Sequence, residues 1–269
     1  MIFVLIGIAG GFILIERLWP AREMPSVRWW WWRVLLVNIT QGAIVLVAGR
    51  TWDVWMQGAS LLRLRDHCSD VMSAAIAYLI SCFVYYWWHR LRHESPLFWR
   101  LCHQLHHSPR RIEIVTSFYK HPLEITLNSL LSSALVYPLV GCSVTGAAYY
   151  TLLTAVAEYF YHWNIRTPYW LGWFIQRPES HRVHHQHQRH TNNYADLPLI
   201  DWMFGTLENA KHEVQCGFDV GREQQFGRMV AFKDVHATGA PGTSPTCFGC
   251  RKRWICAAAS ATETSAVNS

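Results

Sequence analysis

The stretch VMSAAIAYLISCFVYYWWHRLRH, residues 71–93, decides the fold class. Residues 71–88 carry no charge, and this is enough apolar chain to cross a bilayer as one helix. The run ends on YYWW, and amphipathic rings of this kind favour the boundary between lipid and water. Two histidines four residues apart, His89 and His93, follow directly. The stretch therefore predicts a membrane-spanning helix that ends in two imidazoles on one helical face.

Further apolar runs extend this prediction to the rest of the chain. They cover residues 2–18, 34–48, 123–140 and 142–161. The first run lacks the basic start of a signal peptide, so we expect an uncleaved spanning helix. Only Gly141 separates the last two runs, which predicts either a tight helical hairpin or two short re-entrant halves. The expected fold is all-α: a polytopic helical membrane bundle of about four transmembrane helices, or three plus a helical hairpin, with a helical cap.

Composition and charge agree with a membrane protein that has a sizeable polar portion. Of 269 residues, 51% are hydrophobic and 16% are charged, with a formal net charge of +6. The Lys and Arg residues flank apolar runs and form no stripe, which argues against nucleic acid as a partner. The positive-inside rule predicts that the arginine-rich segments after the runs 71–88 and 142–161 are cytoplasmic. These segments also hold the histidine clusters.

The histidines form a repeated pattern. His89 and His93 make H-x-x-x-H, and two copies of H-x-x-H-H begin at His103 and His181. Residues at i, i+3 and i+4 share a helical face, and gathered imidazoles would repel if protonated, so the pattern predicts metal binding. The expected ligands number ten and suit two ions with four or five nitrogens each. They are His89, His93, His103, His106, His107, His121, His162, His181, His184 and His185.

Three other residues, Glu158, His187 and His190, lie near these clusters in the sequence. Glu158 lies four residues before His162 at the end of an apolar run, where a carboxylate is costly unless it is used. Its alternatives are a direct ligand, an acceptor for an imidazole N–H beyond the ligands, or a plain interfacial acid. His187 and His190 are expected to lie outside the set of ligands.

The remaining sequence predicts boundaries and a tail. We expect N-terminal helices and a loop over residues 1–70, a catalytic domain over 71–210, an extension over 211–237 and a disordered tail over 238–269. The eight cysteines are expected to be mostly reduced. Cys247 and Cys250, with only Cys256 following, are too few for a closed zinc site.

In this order and around these apolar runs, the histidine boxes resemble those of the fatty acid hydroxylase/sterol desaturase superfamily. The stretch HRVHHQHQRHTNNYADLPLIDWMFGTLE, residues 181–208, is similar to the last box of that family with its Asn193-Tyr194 pair and Trp202–Thr206 segment. The resemblance covers about residues 70–210. It implies a di-iron centre on the cytoplasmic face and O₂-dependent hydroxylation or desaturation of a lipid C–H bond. His121 matches a histidine of some branches, whereas others carry a second histidine where Glu158 stands, so the tenth ligand stays open.

Such chemistry requires parts that the chain does not itself supply. Iron with O₂ provides the oxidant that side chains lack. Imidazole also binds zinc, so zinc is a possible metal on purification. No haem-attachment motif, dinucleotide fingerprint or iron–sulfur cysteine set is present, which predicts an external electron donor: a ferredoxin, a flavodoxin-type protein or a cytochrome with its reductase. We expect the lipid to lie among apolar and aromatic side chains such as Phe83, Tyr86, Trp87 and Tyr159, each of which could instead face the bilayer.

Non-oxidative membrane metal proteins are the alternative. A zinc hydrolase would carry H-E-x-x-H, but no histidine follows His93-Glu94 at the required spacing. A metal transporter would place its ligands within the membrane spans, whereas these clusters follow the spans.

Overall fold

The computed structural model describes residues 2–58 and 60–236, and within them the chain is helical with no strand. This confirms the predicted all-α class. The predicted tail, including Cys247, Cys250 and Cys256, lies outside the described residues. The α-helices are α1 (Ile2–Leu18), α2 (Trp30–Ala48), α3 (Trp52–Met56), α4 (Asp70–Glu94), α5 (Pro96–Phe98), α6 (Gln104–His107), α7 (Pro122–Ala134), α8 (Val144–His162), α9 (Pro178–His184), α10 (Pro198–Met203), α11 (Val220–Glu223) and α12 (Phe226–Val230).

Shorter helical turns connect these elements. Three are 3-10 helices, over Leu64–Asp66, Ile114–Thr116 and Tyr169–Trp173, and two are π-helical, over Trp99–His103 and Leu135–Val140. One isolated antiparallel bridge joins Gln186 to Cys216.

Three helices are long and apolar enough to cross a membrane, which agrees with the predicted helical membrane bundle. They are Trp30–Ala48, Asp70–Glu94 and Pro122–Val140, the last comprising α7 and the π-helical segment that follows it. Among them α4 packs most extensively, against α8. The contact is close because small residues line it: a Cβ on Gly146 would lie 2.8 Å from the hydroxyl oxygen of Ser73.

The runs 123–140 and 142–161 form an antiparallel hairpin of complete helices, which decides between the two predicted arrangements. Helix α7 continues through the π-helical turn to Val140, and α8 begins after Ser143, whose hydroxyl accepts the backbone N–H of Gly146. Gly141 makes the turn at a φ of 75°, which a residue without a Cβ adopts freely. A Cβ there would also meet Ser60.

The C-terminal ends of α4 and α8 and the N-terminal end of α7 meet at one end of the bundle, where a cap of short helices covers them. Its core includes side chains from α2, from residues 99–119 and from residues 218–235, such as Trp30, Trp99, Leu105, Phe218 and Met229. Glu113 anchors the cap to the first helices, because its carboxylate accepts from Trp30 Nε1 at 2.9 Å and from Arg17 at 2.7 Å. The histidine boxes lie within this end of the molecule.

Candidate metal centre

Nine histidines converge into two adjacent groups at the capped end of the bundle. Group A comprises His89, His93, His103, His107 and His184, and group B comprises His106, His162, His181 and His185. All are buried except His89, which is half-buried. In each group the ring nitrogens that could serve as ligands lie within 4.8 Å of one another. The rings of His107 in group A and His185 in group B stack at 4.2 Å between centroids, so the two groups are in direct contact.

Helical spacing explains how each H-x-x-H-H box serves both groups. In the box that begins at His103, the i and i+4 rings enter group A and the i+3 ring, His106, enters group B. In the box that begins at His181 the assignment is reversed, and the i+3 ring, His184, enters group A. Residues four apart lie nearly above one another on a helix, while the residue between them points aside. Each box therefore contributes rings to both groups.

The nitrogen spacing in group A fits one central ion. Nε2 of His103 lies 3.1 Å from Nε2 of His89, 3.0 Å from that of His93 and 3.1 Å from that of His107. A single ring nitrogen holds one proton or one lone pair, so it cannot form good hydrogen bonds to three others. Two imidazoles at right angles on an ion, each about 2.1 Å away, would have nitrogens about 3.0 Å apart. The donor set therefore suits a metal better than a hydrogen-bond network.

Group B shows the same spacing. Nε2 of His181 lies 3.1 Å from Nε2 of His162 and 3.2 Å from that of His185. The fourth ring, His106, lies 5.2 Å from the ring of His162 and 4.8 Å from that of His185, between centroids. Among the described residues, no hydrogen-bond partner meets the buried Nε2 of His184 in group A. A buried acceptor without a hydrogen-bond partner is suited to binding a metal ion.

Backbone carbonyls fix the orientation of three rings. Nδ1 of His89 donates to the carbonyl of Tyr194 at 2.8 Å, and Nδ1 of His184 donates to that of Asn192 at 2.6 Å. In group B, Nδ1 of His162 donates to the carbonyl of Glu158 at 2.9 Å. A carbonyl only accepts, so the proton lies on Nδ1 and the lone pair of Nε2 faces the group.

A carboxylate and a further histidine orient two more rings of group A. Nδ1 of His103 lies 3.1 Å from Glu124, whose carboxylate also pairs with Arg92 in the buried interior. Nδ1 of His107 lies 3.2 Å from Nδ1 of His190, a buried ring outside both groups. For Nε2 of His107 to face the metal, its Nδ1 must donate and His190 must accept. His190 thus lies outside both groups but contacts the His107 ring of group A.

Burial keeps the rings of the cap neutral. It lowers the pKa of His103, His106, His107, His181 and His185 well below the usual histidine value, and neighbouring positive groups lower it further. The pKa of His184 falls to about 3 for the same main reason. Because metals bind neutral imidazole, the site is prepared for binding at neutral pH without deprotonation.

Residues 74–206 match the fatty acid hydroxylase family model. The chain is 29% identical over 184 residues to a very-long-chain aldehyde decarbonylase of Oryza sativa subsp. indica, covering 63% of this chain and 27% of the relative. It is 30% identical over 145 residues to the alkylglycerol monooxygenase of Homo sapiens, covering 52% and 32%. It is also 30% identical over 137 residues to fatty acid hydroxylase domain-containing protein 2 of Macaca fascicularis, covering 51% and 38%.

The chain belongs to the fatty acid hydroxylase/sterol desaturase superfamily. It spans between about a quarter and two fifths of the length of these curated relatives. No solved structure matches the chain significantly.

His121, which matches a histidine of some branches of the superfamily, enters neither group in this structure. It is the N-cap of α7, where its Nδ1 accepts the backbone N–H of Leu123 at 3.0 Å. Its Nε2 donates to the carbonyl of Val230 at 3.1 Å. Both nitrogens are therefore used in this structure, where His121 caps a helix and does not join the rings with which it was expected to bind metal. The i+4 spacing that supported the other boxes was missing at this position.

Glu158, the other candidate for the tenth ligand in the superfamily, also enters neither group. Its Oε1 accepts from Nζ of Lys120 at 2.6 Å, and its Oε2 lies 3.9 Å from Nδ1 of His162. The backbone carbonyl of Glu158, and not its carboxylate, holds the His162 ring. The carboxylate belongs to neither group and lies beyond hydrogen-bond distance of the His162 ring, so of the three predicted roles the arrangement favours the plain interfacial acid, here paired with Lys120. Nine imidazoles, five and four, remain as candidates.

Aromatic side chains surround group A, but only one of those predicted lies near it. Tyr86 is buried 5.9 Å from Tyr194, between ring centroids, and Tyr194 lies against His89, His93 and His184. Phe83 and Trp87 are exposed on the outer side of α4, which favours their bilayer-facing alternative. Tyr159 packs against Phe12 and Phe118. Sequence reasoning did not single out Tyr194 as a neighbour of the metal groups.

Glu124 is the other residue that sequence reasoning passed over. The signal was present, because an acid within an apolar run is costly unless it is paired. Its partner His103 lies 21 residues earlier in the chain and Arg92 lies 32 residues earlier, so no local spacing revealed the contact.

Proposed function

We propose that this protein is an integral-membrane di-iron oxygenase that uses O₂ and two external electrons to hydroxylate or desaturate a C–H bond of a lipid. The observation that carries the proposal is the pair of adjoining imidazole groups at the capped end of a helical membrane bundle. The superfamily and its lipid-modifying relatives support a membrane enzyme of this general type.

Group A would hold one iron and group B the other, with no tenth ligand from His121 or Glu158. Iron suits an imidazole set and, unlike zinc, changes oxidation state, which is the chemistry that O₂ activation requires. The protein contributes orientation: backbone carbonyls, Glu124 and His190 fix the tautomers so that Nε2 lone pairs converge. The buried cap excludes water from the two groups, which protects a reactive oxidant from side reactions.

The lipid substrate and the electron donor are parts of the same proposal. The named relatives motivate a screen of alkylglycerols, long-chain aldehydes, fatty acyl lipids and sterols, and other lipids such as carotenoids remain candidates. A ferredoxin, a flavodoxin-type protein or a cytochrome with its reductase would supply the electrons. The arginine-rich segments at the metal end support a cytoplasmic orientation and an acidic donor.

Metal content tests the proposal most directly. We would purify the protein in detergent after expression with ample iron, beside His184→Ala/His185→Ala, which removes one ring from each group. His187→Ala is the matched control, because His187 donates to the carbonyl of Gly217 outside both groups. We expect about two irons per chain in the wild type and the control, and loss in the double variant.

Reduction under O₂ completes the test. Iron-loaded wild-type protein supplied with a chemical reductant and a lipid mixture should consume O₂, and the double variant should not. Two zinc ions that iron fails to displace, or no metal at all, would contradict the oxygenase proposal. That outcome would favour a non-oxidative membrane metal protein, either a zinc hydrolase or a metal transporter or binding protein.

A further inference from the structure

Two short segments outside the candidate membrane spans expose large apolar side chains together. We call residues 169–175 and 199–203 the interfacial platform. Its six most prominent side chains, each more than half exposed, are Trp170, Trp173, Phe174, Leu199, Trp202 and Met203. The two segments pack against each other, and the N–H of Gln176 donates to the carbonyl of Asp196 at 3.1 Å between the flanking loops. They therefore form one surface, and a continuous apolar patch of this kind marks an interaction site.

The platform continues the lipid-facing side of α4. Phe204, which follows the platform, lies 6.1 Å from Phe83 and 4.8 Å from Trp87 between ring centroids. Phe83 and Trp87 are exposed on a helix that is long and apolar enough to span a membrane. A lipid that covers these α4 side chains would also reach the platform, so the same bilayer is the nearest apolar partner.

Positive side chains border the platform on one side. Nζ of Lys211 lies 4.6 Å from the ring centroid of Tyr169, and the guanidinium of Arg177 lies 5.6 Å from it. Both residues, with Arg166, line a cleft of about 550 Å³ beside the platform. The acids of this cleft are already paired, Glu179 with the buried Arg177 and with Thr167, and Glu213 with Arg182, which leaves Arg166 and Lys211 as the charges that face outward. Tryptophans next to lysine and arginine are typical of the headgroup region of a bilayer.

The length of the segments decides how they would meet the membrane. The turn Tyr169–Trp173 has five residues and α10 has six, far fewer than a crossing requires. Segments of this kind lie in the plane of the interface, with their apolar side chains in the boundary between headgroups and acyl chains.

We propose that the interfacial platform inserts into the bilayer leaflet at the metal end of the bundle and holds the cap against it. The occupant is the bilayer itself, with lipid phosphates beside Arg166 and Lys211. The inference goes beyond the proposed function, because it holds whichever reaction the metal groups perform.

Site-directed photocross-linking in phospholipid nanodiscs tests the platform. Four variants would each carry one p-benzoylphenylalanine, in place of Trp170, Trp202, Leu79 or Gln215. Leu79 is exposed on α4 within a candidate span and reports a lipid contact, whereas Gln215 is an exposed polar residue whose carbonyl accepts from His187. The readout is the cross-linked phospholipid detected by mass spectrometry, in chains whose metal content matches the wild type.

We expect phospholipid adducts at positions 79, 170 and 202, with yields at 170 and 202 at least about tenfold above position 215. Adducts at position 79 alone would overturn the proposal, because the platform would then lie in water. Cross-links from 170 and 202 to a second copy of the chain would also overturn it, since the patch would then be a protein interface. Equal yields at 202 and 215 would show that proximity to lipid is not specific to the platform.

Discussion

At the scale of single residues, a buried imidazole can offer a metal only the nitrogen that its neighbours leave free. His89, His162 and His184 give Nδ1 to backbone carbonyls, and His103 faces Glu124 through the same atom. In each case Nε2 is left to face its group. The backbone carbonyls and the carboxylate that contact Nδ1 therefore select the tautomer of each ring as well as its position.

His190 fixes the tautomer of His107 in the same way, and its removal should weaken metal binding by group A. Without the ring 3.2 Å from Nδ1, His107 loses a partner for its proton, so His190→Ala should lower metal affinity about 10–100-fold. Competition with a chelator measures this directly, with His187→Ala as the control. An affinity equal to that of the control would mean that His190 only fills space.

Glu124 should be required for stability. Glu124→Gln leaves Arg92 buried without its countercharge, and breaking a buried pair in this way costs about 3–5 kcal/mol. The matched control is Glu94→Gln, which removes an exposed partner of Arg90 and should cost about 0–1 kcal/mol. Thermal unfolding in detergent compares the two variants. Equal losses of stability would show that the Arg92 pair contributes no more than a surface pair.

At the scale of elements, sequence patterns located the helices better than they located their ends. The apolar run 34–48 follows four tryptophans at residues 29–32, but α2 already begins at Trp30, because Trp30 packs in the cap and its Nε1 donates to Glu113. The run 142–161 begins as a helix only at Val144, after the cap formed by Ser143. Hydropathy marks apolar surface, whereas capping and tertiary contacts set the boundaries.

The α7–α8 hairpin depends on its glycine. Gly141→Ala places a Cβ at a φ of 75°, which costs about 1–2 kcal/mol, and adds a clash with Ser60. Gly42→Ala is the control, since a Cβ at that position would meet no atom within 4 Å and helical alanine is favoured over glycine. Unfolding in detergent should show a loss of stability for the first variant and none for the second. A neutral Gly141→Ala would indicate that the turn relaxes.

At the scale of the whole molecule, the fold gathers rings that the chain keeps apart. Group A takes its rings from α4, from the turn that precedes α6, from α6 itself and from α9, and group B takes its rings from α6, α8, α9 and the residue after α9. The cap core, which includes Trp30 from α2 and Met229 from α12, closes over them. Metal binding should therefore couple to the stability of the whole cap.

The stability of the metal-free protein should fall in mild acid. Burial lowers the pKa of the cap histidines, to about 3 for His184 against 6.5 for an ordinary histidine, so the unfolded chain takes up protons first. The free energy of unfolding is therefore highest above about pH 6.5, and it declines as the pH falls toward the pKa of the histidines in the folded protein. Thermal unfolding of metal-stripped protein from about pH 8 to about pH 5 should show the decline.

His184→Ala/His185→Ala is the control for this dependence. Because it removes two of the shifted rings, its melting temperature should vary less with pH than that of the wild type. A wild-type melting temperature that stays constant, or that rises as the pH falls, would mean that the rings are not held neutral by burial.

The sequence by itself determined the features that depend on local spacing. Long apolar runs specify spanning helices, and the i, i+3, i+4 positions specify faces of imidazole. The helical membrane bundle and the eight convergent histidines of the three boxes could therefore be predicted from neighbours along the chain. The family resemblance rested on the same boxes. The proposed ligand roles follow from these positions together with the tautomers.

Only the tertiary structure decided how these parts divide and which residues stand beside them. It separated the histidines into groups of five and four, made His121 a helix cap and paired Glu158 with Lys120. It also placed His190 against the ring of His107, which is 83 residues away in the sequence, and Glu124 against the ring of His103, which is 21 residues away. Contacts between distant segments arise when helices pack, and neither hydropathy nor helical periodicity carries information about which ends will meet.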